Sequence, residues 1–150
     1  MSKRAAGPGR ALEEVGMDAA WDLRRKRRRE VVDRIVEGSV WLTPADRALV
    51  LAYYRDGQRA TEIARLANEP VRALRRRLRR AVRRVLSPEF AFVVEAHAGW
   101  SPTRRRVARA CVLEGWSQRE TSERLGLSLH TVRRHHDAVR GMFELRATSP

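Results

Sequence analysis

LTPADRALVLAYYRDGQRATEIARLANEP, residues 42–70, and WSPTRRRVARACVLEGWSQRETSERLGLS, residues 100–128, carry the same punctuation twice. A shift of 58 aligns residues 42–84 with 100–142 without a gap. Pro44 then meets Pro102, Gly57 meets Gly115 and Glu62 meets Glu120, while Arg47, Ala52, Arg75 and Arg76 also find identical partners. Each segment opens on a hydroxyl residue followed by proline, Thr43-Pro44 and Ser101-Pro102. A side-chain oxygen that caps an orphan amide, then a ring that fixes φ at the first helical position, marks a helix start. Each first helix is expected to stop at a glycine, Gly57 or Gly115, because the left-handed stop costs glycine no Cβ clash. Short second helices are expected over 60–67 and 118–125, then turns at Asn68 and Gly126, both residue types that tolerate positive φ. Third helices should begin near Pro70 and Ser128.

Apolar periodicity supports those third helices. Val71, Leu74, Leu78, Val82 and Val85 fall on one stripe, as do Leu129, Val132, Val139, Met142 and Phe143. Arginines cover the other faces of the first. Helix, short helix, tight turn, helix is the helix-turn-helix layout. Outward from the two segments, SPEFAFVVEAHAG (87–99) reads as a short linker helix with Ser87 as cap and Pro88 at the first position. Upstream, a basic helix is expected over 18–41, with Asp18 as cap and Val31, Val32, Ile35 and Val36 at helical spacing. Residues 1–17 read as a mobile tail, and 146–150 as a second one. The expected fold is all-α: two tandem helix-turn-helix units, 42–86 and 100–145, preceded by a basic N-terminal helix.

The charge points to a partner. Lys and Arg number 32 against 18 Asp and Glu, a formal net charge of +14. An excess of that size attracts polyanions at long range and by counterion release. Lys3 and Lys26 are the only lysines. The rest are arginines, whose planar fork suits paired hydrogen bonds to phosphate. The run Arg24, Arg25, Lys26, Arg27, Arg28, Arg29 reads as a phosphate arm or as a solvated helix face. Cys111 is the single cysteine, which fits a reducing compartment. No apolar run is long enough to span a bilayer. A cytoplasmic, nucleoid-associated location is expected, with no membrane partner.

In the second unit, SQRETSERLGLSLHTVRRHH (117–136) resembles the LuxR/FixJ type of helix-turn-helix, whose pattern is S-x-x-E-I-A-x-x-L-x-x-S-x-x-T-V-K-x-H. Ser117, Glu120, Leu125, Ser128, Thr131, Val132, Arg133 and His135 stand at those positions. The resemblance implies that the third helix enters the major groove, with Thr131, Arg133 and Arg134 on or beside its DNA face. Thr121-Ser122 replaces the family's Ile-Ala, and His136 replaces a Leu, so polar groups occupy expected core positions. The first unit, through LTPADRALVLAYYRDGQRATEIA and VRALRRRLRRAVRRVL, resembles the promoter-reading fourth region of sigma-70 family factors. That resemblance implies contact with promoter DNA and with RNA polymerase. Here Ala67 replaces Leu, Glu69 stands for Ile or Val, and Ala73-Leu74 replaces Thr-Val.

Three of the four histidines, His130, His135 and His136, lie in the last unit. Adjacent helical residues point about 100° apart, so His135 and His136 do not converge on a metal. Cys111, beside Val107 and Ala110, reads as core rather than as a nucleophile. No glycine-rich phosphate loop or paired-carboxylate setting is present. Neither enzyme activity, metal nor cofactor is expected. The DNA-binding candidates are Arg72, Arg75, Arg76, Arg79, Ser128, His130, Thr131, Arg133 and Arg134. The expected function is transcription regulation on double-stranded DNA. Two alternatives stay open. One is a sigma-like adaptor without the −10-melting domain, working with RNA polymerase and a second transcription factor. The other is a non-specific basic packing protein.

Overall fold

The computed structural model describes residues 8–149, with side chains from 22 onward, and among these the fold is entirely helical, with no strand. It divides into two compact units, Met1–Asp33 and Arg34–Pro150. Helix α1 runs Pro8–Gly38. It starts earlier than the expected cap at Asp18, and residues 1–7 of the expected tail lie outside the described residues. In the first unit, Asp22 to Val31 are exposed, including the whole run Arg24 to Arg29, and Val32 is half-buried.

The second unit contains α2 (Pro44–Val50), α3 (Ala60–Ala67), α4 (Val71–Val85), α5 (Pro88–Ala96), α6 (Pro102–Ala108), α7 (Gln118–Leu125) and α8 (Leu129–Thr148). The expected hydroxyl-proline punctuation operates at the starts of α2, α5 and α6. Thr43 Oγ1 accepts from the Asp46 amide at 3.3 Å, Ser101 Oγ from Arg104 at 3.4 Å and Ser87 Oγ from Phe90 at 3.2 Å, each ahead of a first-turn proline. Gly57 and Gly115 turn the chain at φ 68° and 78°; Asn68 and Gly126 do so at 53° and 63°.

The register of 58 holds in the backbone. Helices α2 and α6, then α3 and α7, share both boundaries under that shift, and α4 and α8 share their starts. The repetition extends to features without a sequence signal. The first helix of each segment does not reach its glycine as an α-helix: it widens into one π turn, Leu51–Arg55 and Arg109–Leu113, closed by Asp56 N to Leu51 O and Glu114 N to Arg109 O. Upstream, the 3₁₀ turns Ser39–Trp41 and His97–Gly99 also correspond. Ser39 Oγ donates to Val36 O at 2.6 Å, and His97 Nδ1 sits 2.9 Å from Val94 O, the same carbonyl one repeat later.

One apolar core serves both segments. It joins Ile35, Leu42, Leu49, Val50, Leu74, Leu78, Ala81 and Val85 to Phe90, Phe92, Val93, Val112, Leu113 and Val139. Helix α5 lies in the middle, packed on α4, on the second π turn and on α8. Phe92 places its ring 5.8 Å from Trp100 and 5.7 Å from Phe143, and Glu95 pairs with Arg146 at 2.8 Å. The stripes read from periodicity are the buried ones: Leu74, Leu78 and Val85 on α4, Val132 and Val139 on α8. No described helix is long and apolar enough to cross a membrane.

Candidate nucleic-acid interface

Helix α4 turns its buried stripe inward and leaves Arg72, Arg75, Arg76, Arg79, Arg80 and Arg83 exposed. At 3.6 residues per turn these six occupy one face roughly 140° wide. The two remaining arginines of the helix that lie off this face are the bonded ones. Arg77 pairs with Glu69 and with Asp46, the latter at 3.3 Å. Arg84 lies 3.7 Å from Asp46 and donates from Nη1 to Glu114 O at 3.1 Å. The nearby carboxylates are thereby occupied, and the six exposed guanidiniums have no hydrogen-bonding or ionic partner among the described residues. Below their rim, Tyr53, Tyr54, Leu78 and Val82 floor a groove that Arg75, Arg79 and Arg83 border.

On α8 the same register carries His130, Arg133, Arg134, Asp137, Ala138 and Gly141. His130, Arg133, Arg134 and Asp137 are exposed. The sequence-derived candidates thus fall into corresponding sets: Arg72 with His130, Arg75 with Arg133, Arg76 with Arg134, and Ala73 with Thr131. Arg80 and Arg83 belong to the α4 face as well; their i+4 spacing from Arg76 and Arg79 is the signal that extends the set.

The two helices are entered differently. Ser128 Oγ accepts from the Thr131 amide at 3.1 Å and lies 2.8 Å from Thr131 Oγ1, so both candidates are spent on fixing the first turn of α8. Ser117 and Glu120 form a reciprocal capping box at the start of α7, at 3.1 and 2.8 Å. Those bonds stabilise the Glu120 carboxylate and hold its pKa below the ordinary value. In the first segment the corresponding positions are Arg59 and Pro70, and neither supplies a side-chain cap.

The polar residues at expected core positions are satisfied. Thr121 is fully buried with its Oγ1 3.3 Å from Cys111 Sγ. Ser122 Oγ donates to Leu127 O at 2.6 Å, which closes the turn before α8. Gln118 Nε2 donates to His136 Nδ1 at 3.2 Å, which ties α7 to α8. Burial raises the Cys111 thiol pKa, with the Thr121 bond opposing, so the thiolate a nucleophile needs is disfavoured. His135 is driven toward the neutral ring by burial first, then by Arg134 and Arg104. Among the described residues no three His, Cys, Asp or Glu side chains group as metal ligands would.

Sequence reading missed two surface features. Arg124 stacks 3.5 Å from the centroid of Trp116, whose Nε1 donates to Glu114 at 2.9 Å. Arg84 reaches from α4 to the Gly115 turn, so closely that a Cβ on Gly115 would fall on its guanidinium. Neither pairing has a local spacing that announces it. Compared with known proteins, the chain matches no family model, no curated protein and no solved structure.

Proposed function

We propose that this chain is a DNA-binding transcription regulator built from two tandem helix-turn-helix units. The observation that carries the reading is the pair α4 and α8. They are register-equivalent third helices, each behind a short helix and a left-handed turn, each with its apolar stripe buried and a guanidinium-bearing face open to solvent. Exposed, uncompensated arginines on the solvent face of a helix whose other face is anchored in the core suit a duplex groove and its phosphates. The resemblances of 117–136 to LuxR-type units and of 42–86 to sigma region 4 support the same class. In this reading the basic run Arg24–Arg29 on α1 is an accessory phosphate arm.

The groove floored by Tyr53, Tyr54, Leu78 and Val82 favours a second reading, the sigma-like adaptor. An apolar floor under an arginine rim suits an acidic protein surface on RNA polymerase. Crosslinked capture of tagged protein from its native cells separates the readings. Sharp DNA peaks without polymerase support the regulator. Promoter peaks with stoichiometric polymerase subunits replace it with the adaptor. Diffuse coverage sinks both and leaves a packing protein.

A further inference from the structure

The two equivalent faces differ in chemistry, and from this we infer a division of roles: α4 grips the phosphate backbone without reading it, and α8 reads bases. The inference rests on the proposed DNA-binding role and specifies what each unit of that site takes from the duplex.

Every exposed position on the α4 face is arginine, and the neighbouring carboxylates are engaged by Arg77 and Arg84. Arg75, Arg79 and Arg83 succeed one another at i+4 on one helix face. Like charges at that spacing repel. A row of guanidiniums spread along a helix matches negative charge that is itself spread out, as on the phosphate rows, better than it matches one base pair. A phosphate contact also tolerates positional slack that a base edge does not.

The α8 face has what base reading needs. It mixes donors with an acceptor: Arg133 and Arg134 can pair with guanine O6 and N7, and Asp137 can accept from cytosine N4. Against phosphate, Asp137 is repulsive, so this face is poorly suited to indiscriminate binding. Ala138 and Gly141 stand where α4 has Arg80 and Arg83, so the corresponding part of the α8 face carries no arginine, and the residues that follow on it are Glu144 and Leu145. Its first turn is fixed by Ser128 and Thr131, and the preceding helix by Ser117 and Glu120, whereas α4 and α3 lack such caps. Base readers must be held to a fraction of an ångström. The segment with the fixed entries is the one with the mixed face. This reading departs from what the sigma resemblance implies for the first unit.

The test uses the full chain. A consensus site is first selected from randomised duplexes. Affinity is then measured by fluorescence anisotropy across a salt series, on the selected duplex and on a scrambled one. The variants are the triple change Arg75→Gln, Arg79→Gln and Arg83→Gln, the same three positions changed to Lys, and Asp137→Asn. The glutamine triple variant is expected to weaken both duplexes by one common factor and to select the same consensus. Its log-affinity against log-salt slope falls by about 2.7, at about 0.9 for each phosphate that is no longer neutralised. The lysine variant keeps the slope and the consensus, since phosphate accepts either cation. Asp137→Asn raises affinity for the scrambled duplex more than for the selected one, so their ratio narrows. A consensus missing base pairs in the glutamine or lysine triple variant overturns the inference, as does an unchanged ratio for Asp137→Asn. A wild-type chain that retains no duplex refutes the DNA-binding reading itself.

Discussion

Gly57 and Gly115 are the same residue of two repeats, and they offer a controlled comparison inside one molecule. Both have positive φ, 68° and 78°. A Cβ at Gly57 meets nothing within 4 Å, whereas at Gly115 it falls on the Arg84 guanidinium. Gly57→Ala therefore costs only the left-handed backbone penalty, about 1–2 kcal/mol. Part of that is offset by the lower entropy of the unfolded alanine chain, equally at both sites. Gly115→Ala carries the same penalty and also displaces Arg84. That side chain is flexible, so the collision is relieved by moving it, and the additional loss is what Arg84 holds: one hydrogen bond to Glu114 O at 3.1 Å and a long approach to Asp46 at 3.7 Å. The Arg84 side chain is only 20% exposed. A hydrogen bond from a charged donor contributes about 1.5–3 kcal/mol, reduced by partial solvation to about 1 kcal/mol here. Gly115→Ala should then cost about 2–3 kcal/mol. In an Arg84→Ala background the excess should vanish, while the cost of Gly57→Ala stays the same. Urea unfolding reads this directly: with a slope of about 1–3 kcal/mol per molar, 1 kcal/mol moves the midpoint by roughly 0.3–1 M. Equal costs for the two glycines, or a Gly115→Ala penalty indifferent to Arg84→Ala, would refute the argument.

Three further outcomes follow from the same geometry. Arg59 occupies the register of the capping residue Ser117, with Glu62 already in place three residues on, so Arg59→Ser should stabilise the chain by about 0.5–1 kcal/mol in urea melts; a loss of stability counts against the equivalence of the two turns. His135 has its folded pKa below the ordinary 6.5 because of burial, Arg134 and Arg104. The unfolded chain therefore takes up that proton first, and stability falls as pH drops through about 6.5, with the loss complete below the folded pKa. His135→Gln should show a smaller difference in urea midpoint between about pH 7.5 and 5.5 than the wild type, and an identical difference rejects the assignment. Cys111, half-buried with its thiol pKa raised, should alkylate far more slowly in the native protein at pH 8 than in urea; comparable rates would show that the site opens freely.

Much of this architecture is legible in the residues because it is encoded locally. A hydroxyl-proline pair caps a helix whatever surrounds it, and Gly57, Asn68, Gly115 and Gly126 supply conformations that few other residues reach. The stripes on α4 and α8 follow from helical period alone. The π turns at Leu51–Arg55 and Arg109–Leu113 do not, since one extra residue in a turn leaves no compositional mark. Nor could a sequence reveal that Thr121, in place of an apolar residue, finds Cys111 ten positions earlier, or that Glu69 and Asp46 select Arg77 among eight arginines. At the candidate interface, residue types were readable, and the distinction between paired and unpaired guanidiniums was not, because it depends on neighbours distant in sequence.

The bond that Arg84 makes runs one way: the end of one repeat plugs into the glycine turn of the next. Interactions of that kind do not close on themselves, and repeated without limit they build filaments. Here Met142 stands at the register of Arg84, and Arg104 at that of its carboxylate partner Asp46. The plug is thus absent from the second repeat, while the turn at Gly57 stays open. Met142 and Arg104 thus give the second repeat neither the plug nor the carboxylate beside it, so the linkage between the two repeats runs in a single direction.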